Sequence, residues 1–564
     1  MSSTALAVPL TSIPASSQAS RAAQQIQQQS ILPTKTVSTL AVTPLPTPTL
    51  SKEAGRVHFT LKGVIIEGNT VYPQADLYWV FRNYLDHDVT LAQLYEIAQQ
   101  ITLKYHNDGY MLSKAYLPPQ SVKDGIVHVR IVEGYVDRVV IEGNAPNSAE
   151  LLQAYGNHVV NSGPLRMQTL ERYTLLANDL PGFPDDSTGK HTVRAILRPS
   201  TTTPGAATLV FVANEKRYEG YANYNNRGTR FLGPNQFLFG GALNNIFRSG
   251  DETEVRYANT LPLKELQFAD ITHVEQLGTD GLKLIIHADY THTEPGGLLK
   301  TLRIDDRSSD IDAKIKWPVI RTRLVNFYTD ADLKYTQSTS DFLVNTTIFK
   351  DKVYGLTFGG EFDANDALRG VNSLQVHMTQ GLPILNASKS SDMLISRPNA
   401  RPDFTRLNVD YARVQDLFSQ FSLLFSVSGQ VADTVLYTSQ TFGIGNSPYG
   451  GAYDQSEIIG DDGLAGKLEL RYLISKDQIP GNLAYKPTTQ LYVYYDGGEV
   501  WGATHEAPGR QSLTSIGTGA RFTFTQHLDG YVEYAAPLTN AIAAEETVGR
   551  GRQGRIFVGV TGHI

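Results

Sequence analysis

The residues in this chain that could do chemistry are few and badly placed for it. Asp86-His87-Asp88 puts three metal-type ligands in a row. The tripeptide lies between two predicted helices, however, and reads as a solvated connection. His287, Asp289 and His292 do not share a strand face, and ligands on opposite faces do not converge on one ion. Gly443-x-Gly445 lies in a long loop with no helix after it, so it lacks the helix N-terminus of a phosphate-binding turn. The chain has no His-Glu-x-x-His, no Gly-x-Ser-x-Gly and no lysine-bearing phosphate loop. Its 564 residues include no cysteine, which removes thiol nucleophiles, Cys-based zinc sites and disulfide scaffolds. Catalysis has no visible seat, and no cofactor or metal is expected.

The bulk composition narrows the class further. Net charge is −7 without basic blocks, so a nucleic-acid partner is not expected. Tyrosine (29) outnumbers phenylalanine (22) and far outnumbers methionine (5); its apolar body and polar tip suit strands and membrane–water interfaces. No run of 18 apolar residues occurs, which excludes a transmembrane helix but not a barrel, whose strands show lipid only alternate residues. The first twenty residues, MSSTALAVPLTSIPASSQAS, have neither the basic n-region nor the solid apolar h-region of a secretory signal. The leader expected of an exported chain is therefore not legible there.

Several elements would have to position whatever function the chain has. Residues 1–14 read as a tail. Residues 15–32 read either as part of a disordered tail, which the segment taken alone favours, or as a Gln/Ala/Ser helix with almost no apolar stripe, suited to an aqueous space. Seventeen helical residues span roughly 25 Å, close to the apolar height of a membrane barrel. Residues 33–56, with Pro44, Pro46 and Pro48, read as an extended linker. An internal repeat follows: Val64-Ile65-Ile66-Glu67-Gly68-Asn69 recurs as Val139-Val140-Ile141-Glu142-Gly143-Asn144. Each copy is a strand ending in a Gly-Asn turn.

In the first copy, 57–134, Leu77, Val80, Phe81, Tyr84 and Leu85 predict one helix. Thr90 with Gln93 forms a capping box for a second. Strands are predicted at 110–117 and 126–132, giving β-α-α-β-β. The second copy, 135–214, repeats this order, with helices near 148–155 and 167–179 and strands near 192–198 and 207–213.

From about residue 215 to 564 the helical pattern gives way to segments with period two. Leu468, Leu470 and Tyr472 alternate with Lys467, Glu469 and Arg471; Leu407, Val409 and Tyr411 alternate with Arg406, Asn408 and Asp410. A soluble β-sandwich also alternates, but it would bury the face that here carries mid-strand charges. A barrel with lipid outside and water inside accommodates them.

Together these elements resemble the two-partner secretion transporters, the haemolysin-activator and filamentous-haemagglutinin exporters within the superfamily of barrels carrying POTRA (polypeptide-transport-associated) domains. Tyr105, Gly109-Tyr110, Leu117-Pro118, Gln120, Gly125 and Glu133-Gly134 are similar to that family's first POTRA domain running into its second. Tyr224-Asn225-Asn226-Arg227-Gly228 through Gly233-Pro234 resembles the first barrel hairpin, and Asn244-Asn245 through Gly250-Asp251 the next turn. FGIGNSPYGGAYDQSEIIGDDG, residues 442–463, resembles the long loop that folds into the barrel lumen.

The resemblance implies a mainly β fold: two α+β POTRA domains before a transmembrane antiparallel barrel of sixteen strands in a Gram-negative outer membrane. The POTRA domains would capture an unfolded secreted polypeptide in the periplasm, by strand addition or in a groove, and the barrel would pass it outward. A monomer in outer-membrane lipid is expected. The 15–32 helix would plug the lumen at rest, with Arg21, Gln25 and Gln28 among its polar contacts. Gly68, Asn69, Gly143 and Asn144 are the POTRA turn positions.

The family's loop carries a Val-Arg-Gly-aromatic tetrad whose arginine pairs with a wall aspartate. Here the tetrad falls on Gly450, Gly451, Ala452 and Tyr453, so the arginine is gone. The resemblance places the wall aspartate at Asp496; a buried carboxylate without a cation is costly, so Lys467, with inward parity, is a candidate partner, the alternative being that Asp496 faces lumen water. A second departure is the terminal Ile564 where barrels of this kind often end in an aromatic. Among rivals, a barrel-assembly factor would carry more POTRA copies and no plug helix. A barrel lipase or protease needs a rim catalytic constellation, and a porin or adhesin needs no paired soluble domains.

Overall fold

The computed structural model describes residues 13–27, 40–41, 58–183, 192–343, 346–478, 486–503, 509–539 and 553–564. Sixteen strands, from Tyr218–Asn225 to Arg555–His563, pair each with its sequence neighbour. The first pairs antiparallel with the last, closing the barrel and leaving no free edge. The alternation read from the sequence runs inside out relative to a soluble core. Leu464, Leu468 and Leu470 on one strand are 54%, 47% and 38% exposed, while Glu469 between them is 0% exposed. Greasy side chains outside and charges inside are what a lipid-embedded barrel requires.

The first module has a three-stranded sheet in the order Gly63–Glu67, Ile126–Val132, Lys114–Tyr116. The capping box at Thr90 and Gln93 is formed and starts the helix Leu91–Asn107, whose buried stripe is Leu94, Ile97, Ala98, Ile101 and Tyr105. The predicted helix over 77–85 is broken instead into Gln74–Leu77 and two 3-10 turns, since its run of Tyr, Trp and Phe has weak helix propensity. Leu77, Val80 and Phe81 still reach the core. Asp86-His87-Asp88 joins a 3-10 turn to the short strand Asp88–Thr90 rather than joining two helices. There Asp86 meets Lys62 at 2.9 Å on the exposed surface. The strand predicted over 110–117 is confined to Lys114–Tyr116.

In the second module the helices Ala149–Val160 and Met167–Asn178 cover a sheet ordered 40–41, 194–199, 206–214, 135–144. The sheet has one strand more than the repeat predicts, because Leu40–Ala41 from the linker adds parallel to its edge.

The two copies of the repeat are held the same way. Gly68 and Gly143 have positive φ (81° and 103°). A Cβ there would lie 2.3 Å from the Ile131 carbonyl oxygen and 2.2 Å from that of Ala213. Asn69 Nδ2 donates to the Tyr72 carbonyl (2.8 Å), and the Asn144 N–H donates to Asn214 Oδ1 (3.0 Å). A glutamate then ties each turn to the sheet. Glu133 accepts from the Thr70 and Val71 N–H groups (2.8 and 2.9 Å) and the Tyr105 hydroxyl (2.6 Å). Glu215 accepts from the Ser148 N–H (3.0 Å) and hydroxyl (2.7 Å). Burial pushes the Glu133 carboxyl up, but the bonds from Thr70, Tyr105 and Val71 outweigh it and hold the group below its ordinary 4.5.

The second module docks against one end of the barrel. Asp179 forms a two-bond pair with Arg321 (2.6 and 2.7 Å), Tyr173 donates to Asp280 (3.0 Å), and Glu171 accepts from the Arg323 backbone and side chain (2.8 and 3.1 Å). The turns that carry these contacts, at 278–281 and 321–324, mark the barrel mouth facing the soluble modules.

Candidate functional site

The lumen contains two insertions, a helix and a loop. The helix is Ala19–Gln27, preceded by a 3-10 turn at Ala15–Ser17. The stripe that seemed missing from its sequence exists but is built from small residues. Ala22 packs with Leu232 and Leu266, Ala23 with Ala258 and Phe268, and Ile26 touches both clusters. The spacing 19, 22, 23, 26 is one helical face.

The opposite face makes polar contacts to the wall and loop. Arg21 is buried and donates to the Thr438 carbonyl (2.5 Å), to Thr441 Oγ1 and to Gln24 Oε1 (2.8 Å). Gln24 donates to the Ser439 carbonyl (2.8 Å) and Gln27 to Asp289 (2.7 Å). Gln25 reaches the Arg227 carbonyl only at 3.5 Å, which is marginal for a hydrogen bond. Gln28 lies outside the described residues. Arg21 therefore rests on a carbonyl, a hydroxyl and an amide oxygen and on no carboxylate among the described residues. At about 0.5–1.5 kcal/mol net per neutral hydrogen bond and about 1.5–3 where one partner is charged, a handful of such bonds amounts to a reversible seat.

The loop between the strands ending at Ala432 and starting at Asp462 turns back into the lumen. Phe442–Ile444 pairs antiparallel with Ile458–Gly460 to make a short hairpin. Ile444, Ala452, Tyr453 and Ile458 bury against wall residues Tyr492, Tyr494, Leu513 and Phe557.

The tetrad positions divide as follows. Gly451, the position expected from the resemblance to hold an arginine, points its backbone N–H at Asp496 (3.1 Å to Oδ2), whose Oδ1 also accepts from the Ser515 hydroxyl. A Cβ on Gly451 would lie 2.3 Å from the Tyr494 hydroxyl, so the phenol leaves no room for a side chain there. Gly450 has φ 89°, Ala452 is buried, and Tyr453 donates to the Thr514 carbonyl (3.2 Å).

Lys467 corrects the expectation drawn from parity. It is the direct cross-strand neighbour of Asp496, but its ammonium sits 3.1 Å from Glu469 Oε2 and 4.1 Å above the Tyr494 ring. Glu469, fully buried on the same face, attracts Lys467, Arg471 and Arg521.

The contacts that fasten the loop were missed by sequence reasoning. Arg230, in the first barrel hairpin, binds Asp454 (2.6 Å) and Glu457 on the loop. Arg555 on the last strand also binds Asp454 (2.8 Å). Arg227 bonds Glu533 (2.8 Å), the Tyr531 hydroxyl (2.9 Å) and Asn446 on the loop (3.3 Å). The sequence signal was only that Arg227 and Arg230 lie within the first barrel hairpin and that Asp454 directly follows Tyr453. Between helix, loop tip and wall a cavity of about 350 Å³ remains, lined among others by Gln25, Asn446, Tyr449 and Glu469. His287, considered above as a ligand, is held between Asp312 (3.0 Å) and Asp270 (3.5 Å), while Asp289 serves Gln27.

Comparison with known proteins agrees with this geometry. The family model described as "POTRA domain, ShlB-type" matches residues 59–134. The model described as "Haemolysin secretion/activation protein ShlB/FhaC/HecB" matches residues 208–522. The chain is 24% identical over 483 residues to the heme/hemopexin transporter protein HuxB of Haemophilus influenzae, covering 83% of this chain and 81% of the relative. Among solved structures, CdiB from Escherichia coli superposes with a TM-score of 0.72 at 16% identity, covering 92% of this chain and 93% of that one. BamA from Haemophilus ducreyi lacking POTRA domains 1–3 superposes less well, with a TM-score of 0.50 at 12% identity, covering 90% of this chain and 100% of that one.

Proposed function

Because the chain belongs to the haemolysin secretion/activation (ShlB/FhaC/HecB) family of outer-membrane secretion transporters, we propose that it holds its export channel shut by two separable devices, a displaceable helix and a fixed loop. Residues 13–27 are the displaceable plug, residues 442–463 the fixed brace, and 57–134 and 135–214 the periplasmic modules that receive an unfolded secreted polypeptide. The observation that carries this is the asymmetry of attachment. The helix is held by an alanine face and by bonds charged on one side only, from Arg21 to a carbonyl and a hydroxyl and from Gln27 to Asp289, with no ion pair among the described residues. The loop is held by Arg230 and Arg555 in buried ion pairs, with Arg227 on Asn446 besides, so only the loop has bonds charged on both sides.

Cargo meets the modules first, by adding a strand to a sheet edge or lying in a groove. It then displaces the helix and passes along the polar lumen. Energy comes from folding of the cargo outside, since the chain carries no nucleotide-binding motif. The protein acts as a monomer, with its exposed apolar band in outer-membrane lipid, and catalyses no reaction. Its relative HuxB is named for heme/hemopexin transport; the sequence of the present chain does not choose its cargo.

The docked second module keeps the receiving surface at the barrel mouth. The barrel-assembly reading is weaker, because the chain has two soluble modules and a lumenal helix, and because the superposition on CdiB is closer than that on BamA. Deleting residues 1–32 is expected to raise single-channel conductance in planar bilayers. Unchanged conductance removes the plug.

A further inference from the structure

On the inner wall, away from plug and loop, three consecutive strands bring Asp330, Glu361 and His377 together, with one ligand atom of each within 4.8 Å of the others. The register explains the meeting. Asp330 pairs across the strands with Gly359, and Gly359 pairs with His377, so the three lie in one row. Glu361 is two residues from Gly359, on the same face. The row is near the end of the barrel where the second module docks, since Asp330 follows the turn that carries Arg323.

We propose that Asp330, Glu361 and His377 form a binding site for a divalent transition-metal ion of the zinc type, which would staple three strands of the wall. Three observations point the same way. The Asp330 side chain is 1% exposed, and neither of its oxygens has a hydrogen-bond partner among the described residues. The charges that face it are His377, at ion-pair distance when protonated, and Lys314 and Lys316, neither of which hydrogen-bonds it, so both oxygens are free to take an ion. His377 Nε2 stands 3.4 Å from Asp330 Oδ2. That is beyond the usual hydrogen-bond range, yet it is the spacing of two ligands each about 2.1 Å from a tetrahedral ion. The residue between them is glycine, and a Cβ there would lie 2.1 Å from His377 Cδ2 and 2.8 Å from Asp330 Oδ2; only a bare backbone leaves this approach open. Lys316 binds Glu361 Oε2 at 2.6 Å, so an ion would take the other oxygen of that carboxylate or displace the ammonium.

One imidazole and two carboxylates supply three ligands, and lumen water completes the set. Sequence inspection could not find the site, because its members are 31 and 16 residues apart and only the barrel register aligns them.

The test uses full-length protein without a polyhistidine tag, in detergent, stripped with chelator and then dialysed against Zn²⁺. Wild type is expected to retain one equivalent more than His377→Gln, and Asp330→Asn to weaken uptake at least about tenfold. Gly359→Ala should lose the same equivalent. Co²⁺ in place of zinc should give the intense visible absorption of a tetrahedral site in wild type only. Folding is checked by migration of unboiled samples on gels, and where one variant fails that check the others supply the comparison. Equal zinc uptake by wild type and folded variants, or no uptake by wild type, overturns the proposal.

Discussion

Replacing Arg230 with alanine takes away the cation that Asp454 and Glu457 share. Arg230 is 7% exposed and both acid side chains are 1% exposed. The loss is that of one partner from a buried ion cluster, for which about 3–5 kcal/mol is typical. Arg555 still reaches Asp454 at 2.8 Å, so the low end, about 3 kcal/mol, is the expected figure. If the cluster exists only with the loop seated, that is roughly a 150-fold shift towards the detached loop.

Two assays read it. Hydrogen exchange over 442–460 should quicken by about that factor, and open-channel events in planar bilayers should become more frequent. Arg230→Lys, which keeps a charge but not the fork, should fall between. The decisive measurement is a double-mutant cycle of Arg230→Ala with Asp454→Ala, expected to show a coupling of about 1–3 kcal/mol. Effects that add to within about 0.5 kcal/mol would refute the tether, because the two residues would then act independently.

Gly451→Arg should weaken the loop seat, because the new side chain meets the Tyr494 hydroxyl and displaces the amide now serving Asp496; faster hydrogen exchange of the loop checks this. Asp179→Ala and Arg321→Ala should each free the second module from the barrel mouth and expose 172–183 to protease, with non-additive effects in the double variant. In the first module, Glu133 is held below its ordinary 4.5 when folded. Its contribution is therefore full above that value and is lost as pH falls through the lower folded value. Hydrogen-exchange protection of Leu91–Asn107 in the full-length protein should drop on acidification below about 4.5, and Glu133→Gln should be less protected at neutral pH and flatter on acidification.

How much of this was legible in the sequence depended on the distance over which each feature is encoded. Strand alternation is local, so the inside-out pattern of Leu468, Glu469 and Leu470 showed at once. The capping box at Thr90 and the repeated Gly-Asn turns are local too. The helix over 77–85 was read with the right buried face and the wrong continuity, because periodicity reports which side chains face the core and not whether the backbone prefers α or 3-10. The lumenal helix looked stripeless because alanines bury well against Leu232 and Phe268 yet carry little weight in a hydrophobic pattern.

Lys467 shows the limit more sharply. Parity correctly placed it beside Asp496. What parity cannot weigh is that Glu469, two residues on, offers a fully buried carboxylate on the same face, and the nearer carboxylate takes the lysine. The Arg230–Asp454 pair, 224 residues apart in sequence, had no local trace at all.

That pair also bears on how the loop manages without its arginine. A lumenal loop needs a charged clasp to the wall, because apolar packing alone would not fix its register against a wet, polar surface. Which side carries the cation is open to choice. In this chain the loop supplies Asp454 and Glu457, and the wall supplies Arg230 and Arg555. Asp496 is satisfied by the Gly451 amide and the Ser515 hydroxyl, and Tyr494 fills the space beside Gly451 while bonding Glu533. Changes that each look destabilising alone are consistent together, so a single reversion at 451 should do harm. The arginine should be tolerated only where the residue at 494 has become small at the same time, and the Gly451→Arg, Tyr494→Ala double variant should recover hydrogen-exchange protection of the loop that Gly451→Arg alone loses.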